Sequence, residues 1–250
     1  MVTNLFLMGA VGATFFFAGL VKGVTGMGLP TVAMGVLGAF LSPLAAAGLL
    51  LVPSFVTNLW QLLTGPGVSP LIRRFWPMML TILAGTVTGS TLLTSGDTRA
   101  TSMALGIVLS VYAAYAMIAR PIRVPRRLEP VASPLVGLIT GLVTGGTGVF
   151  VIPAVPYLQS LGLERDELVQ ALGLTFTVST IALAVGLGWH GAGLQGGWLA
   201  SALCVLPALA GMAAGQAIRS RISPLLFRRI FLAFLLVLGV DMATRALWRG

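Results

Sequence analysis

The stretch Ala18-Gly-Leu-Val-Lys-Gly-Val-Thr-Gly26 recurs 122 residues later as Thr140-Gly-Leu-Val-Thr-Gly-Gly-Thr-Gly148. Gly19, Leu20, Val21, Gly23, Thr25 and Gly26 fall on Gly141, Leu142, Val143, Gly145, Thr147 and Gly148. Each copy lies within a long apolar stretch and is followed by a proline, Pro30 or Pro153, so each interrupts a hydrophobic segment at a corresponding place. Paired interruptions in two halves of a membrane protein point to a binding site where the repeats meet.

Composition identifies the solvent. Hydrophobic residues make up 57% of the chain and charged residues 8%, against roughly 45–50% and 25% in soluble domains. A soluble chain with so few charges would have to expose large apolar patches and would associate. The reading is an all-α polytopic membrane protein with the lipid bilayer as its surroundings. The net charge of +9 does not indicate nucleic acid, because the arginines fall between apolar segments rather than along one face with interleaved aromatics. No lysine or arginine precedes Lys22, so the start lacks a signal peptide's basic flank and reads as a retained first segment. The single cysteine, Cys204, offers neither a disulfide nor a metal cluster.

Hydropathy and breakers divide the first half into apolar segments at about 5–22, 29–41, 43–64, 72–94 and 100–119, and the second at 131–144, 149–162, 166–188, 196–218 and 224–246. The repeat extends past the glycine motif: Thr57 and Asn58 fall on Ser179 and Thr180, and Gly85/Gly89 on Gly211/Gly215 after a four-residue shift. Residues 1–119 and 131–250 are therefore expected to be two copies of one unit, joined by a linker at 120–130 with four arginines and three prolines. Such a linker marks the cytoplasmic side. Arg73/Arg74, Arg165 and Arg219/Arg221/Arg228/Arg229 then also lie inside, and Arg99, Arg245 and Arg249 outside. Five segments per copy make the repeats inverted.

The first two segments of each half are expected to form a glycine-broken or re-entrant helical hairpin. Those of the second half, about 14 residues each, would span only ~21 Å and stop inside the bilayer. Helices beginning near Leu29 and Val149 would aim their N-termini at the breaks, where the backbone of Gly26, Gly28, Gly145, Gly146 and Gly148 and the hydroxyls of Thr25 and Thr147 could meet an anion. Lys22, the only lysine, borders the first break. A lysine within the membrane costs at least about 2.5–3.5 kcal/mol and is a functional candidate on that ground, with snorkelling to the interface as the alternative. Thr57 and Asn58 share a helical stripe with Ser54 and Gln61; with Ser179 and Thr180 they could line an aqueous path or simply tie helices together. No carboxylate lies at the centre of a segment, which argues against coupling through one. The chain has no metalloprotease, nucleophile-elbow or P-loop motif, and neither cofactor nor metal is expected.

At these residues the chain resembles the sulfite exporter TauE/SafE family, also called the TSUP family. The resemblance rests on Gly19-Leu-Val-Lys-Gly-Val-Thr-Gly-Met-Gly28 with Pro30, on Gly141-Leu-Val-Thr-Gly-Gly-Thr-Gly148 with Pro153, and on the glycine pairs 85/89 and 211/215, and spans nearly the whole chain. It implies a multi-pass carrier of the bacterial or archaeal cytoplasmic membrane for sulfite, sulfonates, sulfoacetate or thiosulfate. Beyond this small anionic substrate, the expected partner is the lipid bilayer, with a homo-oligomer left open as an alternative to a single copy. An anion channel and a non-transporting membrane scaffold are the alternative functions.

Overall fold

The structure, a computed structural model, describes residues 2–119, 123–192 and 197–248. Arg120 of the linker and the terminal Arg249 lie outside the described residues. The elements are helices α1 (Val2–Thr25), α2 (Leu29–Phe40), α3 (Pro43–Leu63), α4 (Val68–Thr94) and α5 (Thr98–Ile118), a 3-10 turn at Arg126–Leu128, then α6 (Glu129–Thr147), α7 (Ala154–Ser160), α8 (Arg165–Trp189), α9 (Gly197–Leu203), α10 (Val205–Ile218) and α11 (Pro224–Trp248). Among the described residues, eight helical stretches are long and apolar enough to cross a membrane, with α9 and α10 forming one of them. Phe6, Leu80, Ile118, Leu206 and Val237 are exposed, as side chains facing lipid rather than water should be. The protein is an all-helical multi-pass membrane protein.

One expectation is corrected. The segment expected at 131–144 is a 19-residue helix, α6, that runs through Gly145 and Gly146 to Thr147; with the preceding turn it is long enough to span. The helix expected to begin near Val149 begins at Ala154 and has seven residues. The physical reason lies across the interface. A Cβ at Gly141 or Gly145 would collide with the carbonyl oxygen of Ile82 or Thr86 on α4, and one at Gly85 or Gly89 with that of Leu138 or Leu142 on α6. Four glycines thus let two helix backbones touch, and that packing carries α6 through residues that otherwise weaken a helix by ~1 kcal/mol each.

The same contact occurs a second time. Gly19 and Gly23 of α1 lie against the backbone of Ala208 and Met212 on α10, and Gly211 and Gly215 against Phe16 and Leu20. The first helix of each half therefore packs on a late helix of the other half, so the halves are interleaved rather than side by side. α3 lies against α8, and α5 against α11.

Contacts also sort the two ends of the bundle. Arg74 near the start of α4 pairs with Glu129 at the start of α6. Gln170 near the start of α8 accepts from the Gly67 N–H in the α3–α4 turn, and Arg228 near the start of α11 donates to Ala116 O near the end of α5. At the opposite end Arg99 donates to Ala246 O. The described arginines assigned to the inside thus gather at one end, with Arg99 and Arg245 at the other. α6 starts from the arginine-rich end, whereas α1 runs towards it beside the C-terminal half of α10.

Candidate functional site

Both copies of the glycine motif terminate a helix in the same way. Gly26 and Gly148 adopt the left-handed conformation (φ 78° and 70°), which only glycine enters at little cost. Their N–H groups donate to the carbonyls four residues back, Lys22 O and Thr144 O, each at 2.7 Å. Thr25 and Thr147 fold their hydroxyls back onto Val21 O (2.8 Å) and Val143 O (2.7 Å), and accept from Met27 N and Val149 N, each at 3.3 Å. These two hydroxyls hold the breaks in shape, and both are engaged with backbone. Gly145 and Gly146 face α4, against Thr86, Gly89 and Leu92.

After the breaks the copies differ. Gly28, also left-handed (φ 103°), precedes α2 without any side-chain cap, so the first-turn N–H groups of a 12-residue helix are left to other partners. In the second copy residues 149–153 are non-helical and buried or half-buried, and the Gly148 backbone approaches Met34 of α2. Of the two expected helix N-termini, the one at α2 is present beside its break. The other is displaced five residues and belongs to a helix of only seven residues.

The side chains that converge are those of Lys22, Thr57, Asn58 and Thr180. Lys22 is 3% exposed, and Thr57 and Asn58 are fully buried. The Lys22 ammonium donates to Asn58 Oδ1 and, at 3.3 Å, to Thr57 Oγ1. Asn58 Nδ2 donates to Thr180 Oγ1 at 3.5 Å, and Thr180 donates in turn to Phe176 O at 2.7 Å. The cluster links α1, α3 and α8. Snorkelling does not describe this lysine, because its head group ends among buried polar atoms. At the corresponding place in the second half, Thr144 donates to Val149 O at 3.2 Å, closing on its own chain.

Charge around the cluster is one-sided. Among the described residues the ion pairs are Arg74–Glu129 and Arg245–Asp241, so no carboxylate accompanies Lys22. Its partners are neutral oxygens. The hydroxyls of Thr31 on the first turn of α2, Ser54 one turn before Asn58 and Ser179 beside Thr180 are buried without a protein partner, as is that of Thr86 on α4, a helix that carries none of the cluster's residues. Unpartnered buried hydroxyls are costly in a low-dielectric interior and are ordinarily satisfied by something bound.

Below the cluster, two glutamines clasp α3 to α8. Gln61 donates to Val169 O and Gln170 to Leu62 O, both at 2.7 Å. Sequence reading placed Gln61 on the polar stripe but passed over Gln170; its signal was a lone amide early in an apolar helix. At the other end of the bundle Ser90 Oγ lies 3.3 Å from His190 Nδ1, well apart from Lys22 in the fold. No group of three or more metal-ligating side chains occurs among the described residues.

A family model described as Sulfite exporter TauE/SafE matches residues 11–242. No curated protein and no solved structure gives a match to the chain.

Proposed function

We propose, from the premise that the chain belongs to the sulfite exporter TauE/SafE family, that it moves a small sulfur-containing oxyanion across the membrane by way of Lys22. Sulfite, a sulfonate, sulfoacetate and thiosulfate share the chemistry required: compact, negative and rich in acceptor oxygens. The observation that carries the reading is the Lys22 ammonium, buried and held only by Asn58 and Thr57. An isolated buried charge is strongly disfavoured unless an opposite charge joins it, and an anion arriving at Lys22 is such a partner. The free hydroxyls of Thr31, Ser54 and Ser179 and the uncapped α2 N-terminus supply further donors of the kind that oxyanions accept.

Movement follows from the two breaks. The chain is built of two inverted repeats, 1–119 and 131–250, and the short elements α2 and α7 rock against the long helices to open Lys22 first to one side and then to the other. The matched turns at Gly26 and Gly148, and the interleaved contacts α1 on α10 and α6 on α4, support that pairing of the halves. Support for anion rather than cation transport is that, among the described residues, Lys22 is in no ion pair with a carboxylate.

Uptake of labelled sulfite into liposomes holding the purified protein tests the reading. Saturable uptake, inhibited by unlabelled sulfoacetate or thiosulfate, is expected. Uptake rising linearly with concentration would make the protein a channel, and uptake equal to that of empty liposomes, for labelled sulfite and likewise for labelled sulfoacetate and thiosulfate, would remove the transport reading.

A further inference from the structure

Two cavities open at the arginine-rich end. One, of about 330 Å³, is lined by Thr25 and Met27 from the first break and by Arg165, Arg219 and Arg228. The other, of about 500 Å³, reaches Pro153 and Val155 beside the second break. Both include Met27, Tyr112, Gln159 and Arg228, so they adjoin and together touch both breaks. Thr25 stands one turn beyond Lys22 on α1, which puts this vestibule next to the buried lysine on its arginine-rich side.

Three cations around one small cavity are unusual in a chain with so few charges. They come from separate elements: the start of α8, the end of α10 and the first turns of α11. None is in an ion pair among the described residues. Arg228 donates one hydrogen bond, to Ala116 O at 3.2 Å, leaving most of its five N–H donors open. Glu164, Asp166 and Glu167 neighbour Arg165 in sequence, yet no carboxylate lines this cavity; Asp166 lines a separate pocket with Gln61 and Gly65. Guanidinium groups match the planar pairs of oxygens on sulfonate, sulfite and phosphate groups, and a concave wall of one charge sign raises the local concentration of anions.

We infer that Arg165, Arg219 and Arg228 form a second anion site, a docking vestibule that collects a free oxyanion from the arginine-rich side and delivers it to Lys22. This rests on the transport reading for its purpose but not for its detection. The site would be separate from the Lys22 cluster, so removing one leaves the other. The same guanidinium groups could also hold the phosphate of an anionic lipid, and the experiment separates the two sources.

The test is equilibrium binding of radiolabelled sulfite to the protein in nanodiscs, made either of phosphatidylcholine alone or with added phosphatidylglycerol. Wild type in phosphatidylcholine is expected to bind at two classes of site. Lys22→Met should retain the vestibule class. The triple variant Arg165→Gln/Arg219→Gln/Arg228→Gln should retain the Lys22 class, which shows that it is folded, while the other class weakens by about tenfold or more. The triple lysine variant should restore part of that loss. Binding by the triple glutamine variant equal to that of wild type, absent binding included, overturns the vestibule. So does a difference seen only in phosphatidylglycerol discs, which would assign the arginines to lipid. Unchanged binding at both classes in Lys22→Met would instead count against the Lys22 reading and leave the vestibule standing.

Discussion

At the scale of single residues, Asn58 is the pivot of the cluster, since it accepts from Lys22 and donates to Thr180. Asn58→Leu should remove both bonds and leave the ammonium with Thr57 alone. We expect a loss of about 1–3 kcal/mol in stability, read as a lower unfolding temperature in detergent, together with loss of flux. The double variant Lys22→Met/Asn58→Leu should regain part of the stability without regaining flux, because a packed apolar pair is less costly than a stranded charge. Equal instability of the single and double variants would show that Asn58 acts through packing alone. Lys22, Thr57, Asn58 and Thr180 were all legible in sequence as polar residues within apolar helices. Their meeting was not, since it depends on how α1, α3 and α8 cross. The hydroxyls of Thr25 and Thr147 went the other way: the motif singled them out, and local geometry binds them to the backbone of the breaks.

Among the elements, the glycine-lined contacts α6 on α4 and α1 on α10 fix the frame around the breaks. Gly145→Ala puts a methyl group into the Thr86 carbonyl and should cost about 1–3 kcal/mol. Gly9→Ala, on the exposed part of α1 with nothing near its Cβ, should be neutral or stabilise by up to ~1 kcal/mol. Thermal unfolding of the two variants checks this contrast, and equal effects would contradict the packing role given to Gly145. The ten segments were readable from hydropathy, with ends within a few residues for most of them. The extent of α6 was not, because glycines at 145 and 146 look like breakers until the facing glycines of α4 show that they serve close approach. The reach of the non-helical stretch 149–153 was likewise hidden, since its residues are as apolar as those of a helix.

For the whole molecule, we propose that the arginine-rich end faces the cytoplasm, the side that the positive-inside bias favours. Ser95 in the α4–α5 turn and Ser223 just before α11 are both exposed and belong to opposite ends. In a Cys204→Ser background, Ser95→Cys should react with an impermeant maleimide from outside intact cells, and Ser223→Cys only after the membrane is opened. Reaction of both from one side would contradict the arrangement of helices. This orientation also decides which face the vestibule serves, and it sets the direction from which an anion first meets Lys22. The central claim remains that an anion meets this lysine at all. The most direct measurement is the rate of labelled sulfite uptake by wild-type protein and by Lys22→Met, reconstituted at equal amounts in the same lipid. A fall of at least about tenfold at subsaturating sulfite, with folded variant protein, is the result expected from losing a charge-assisted contact; equal rates would contradict the account.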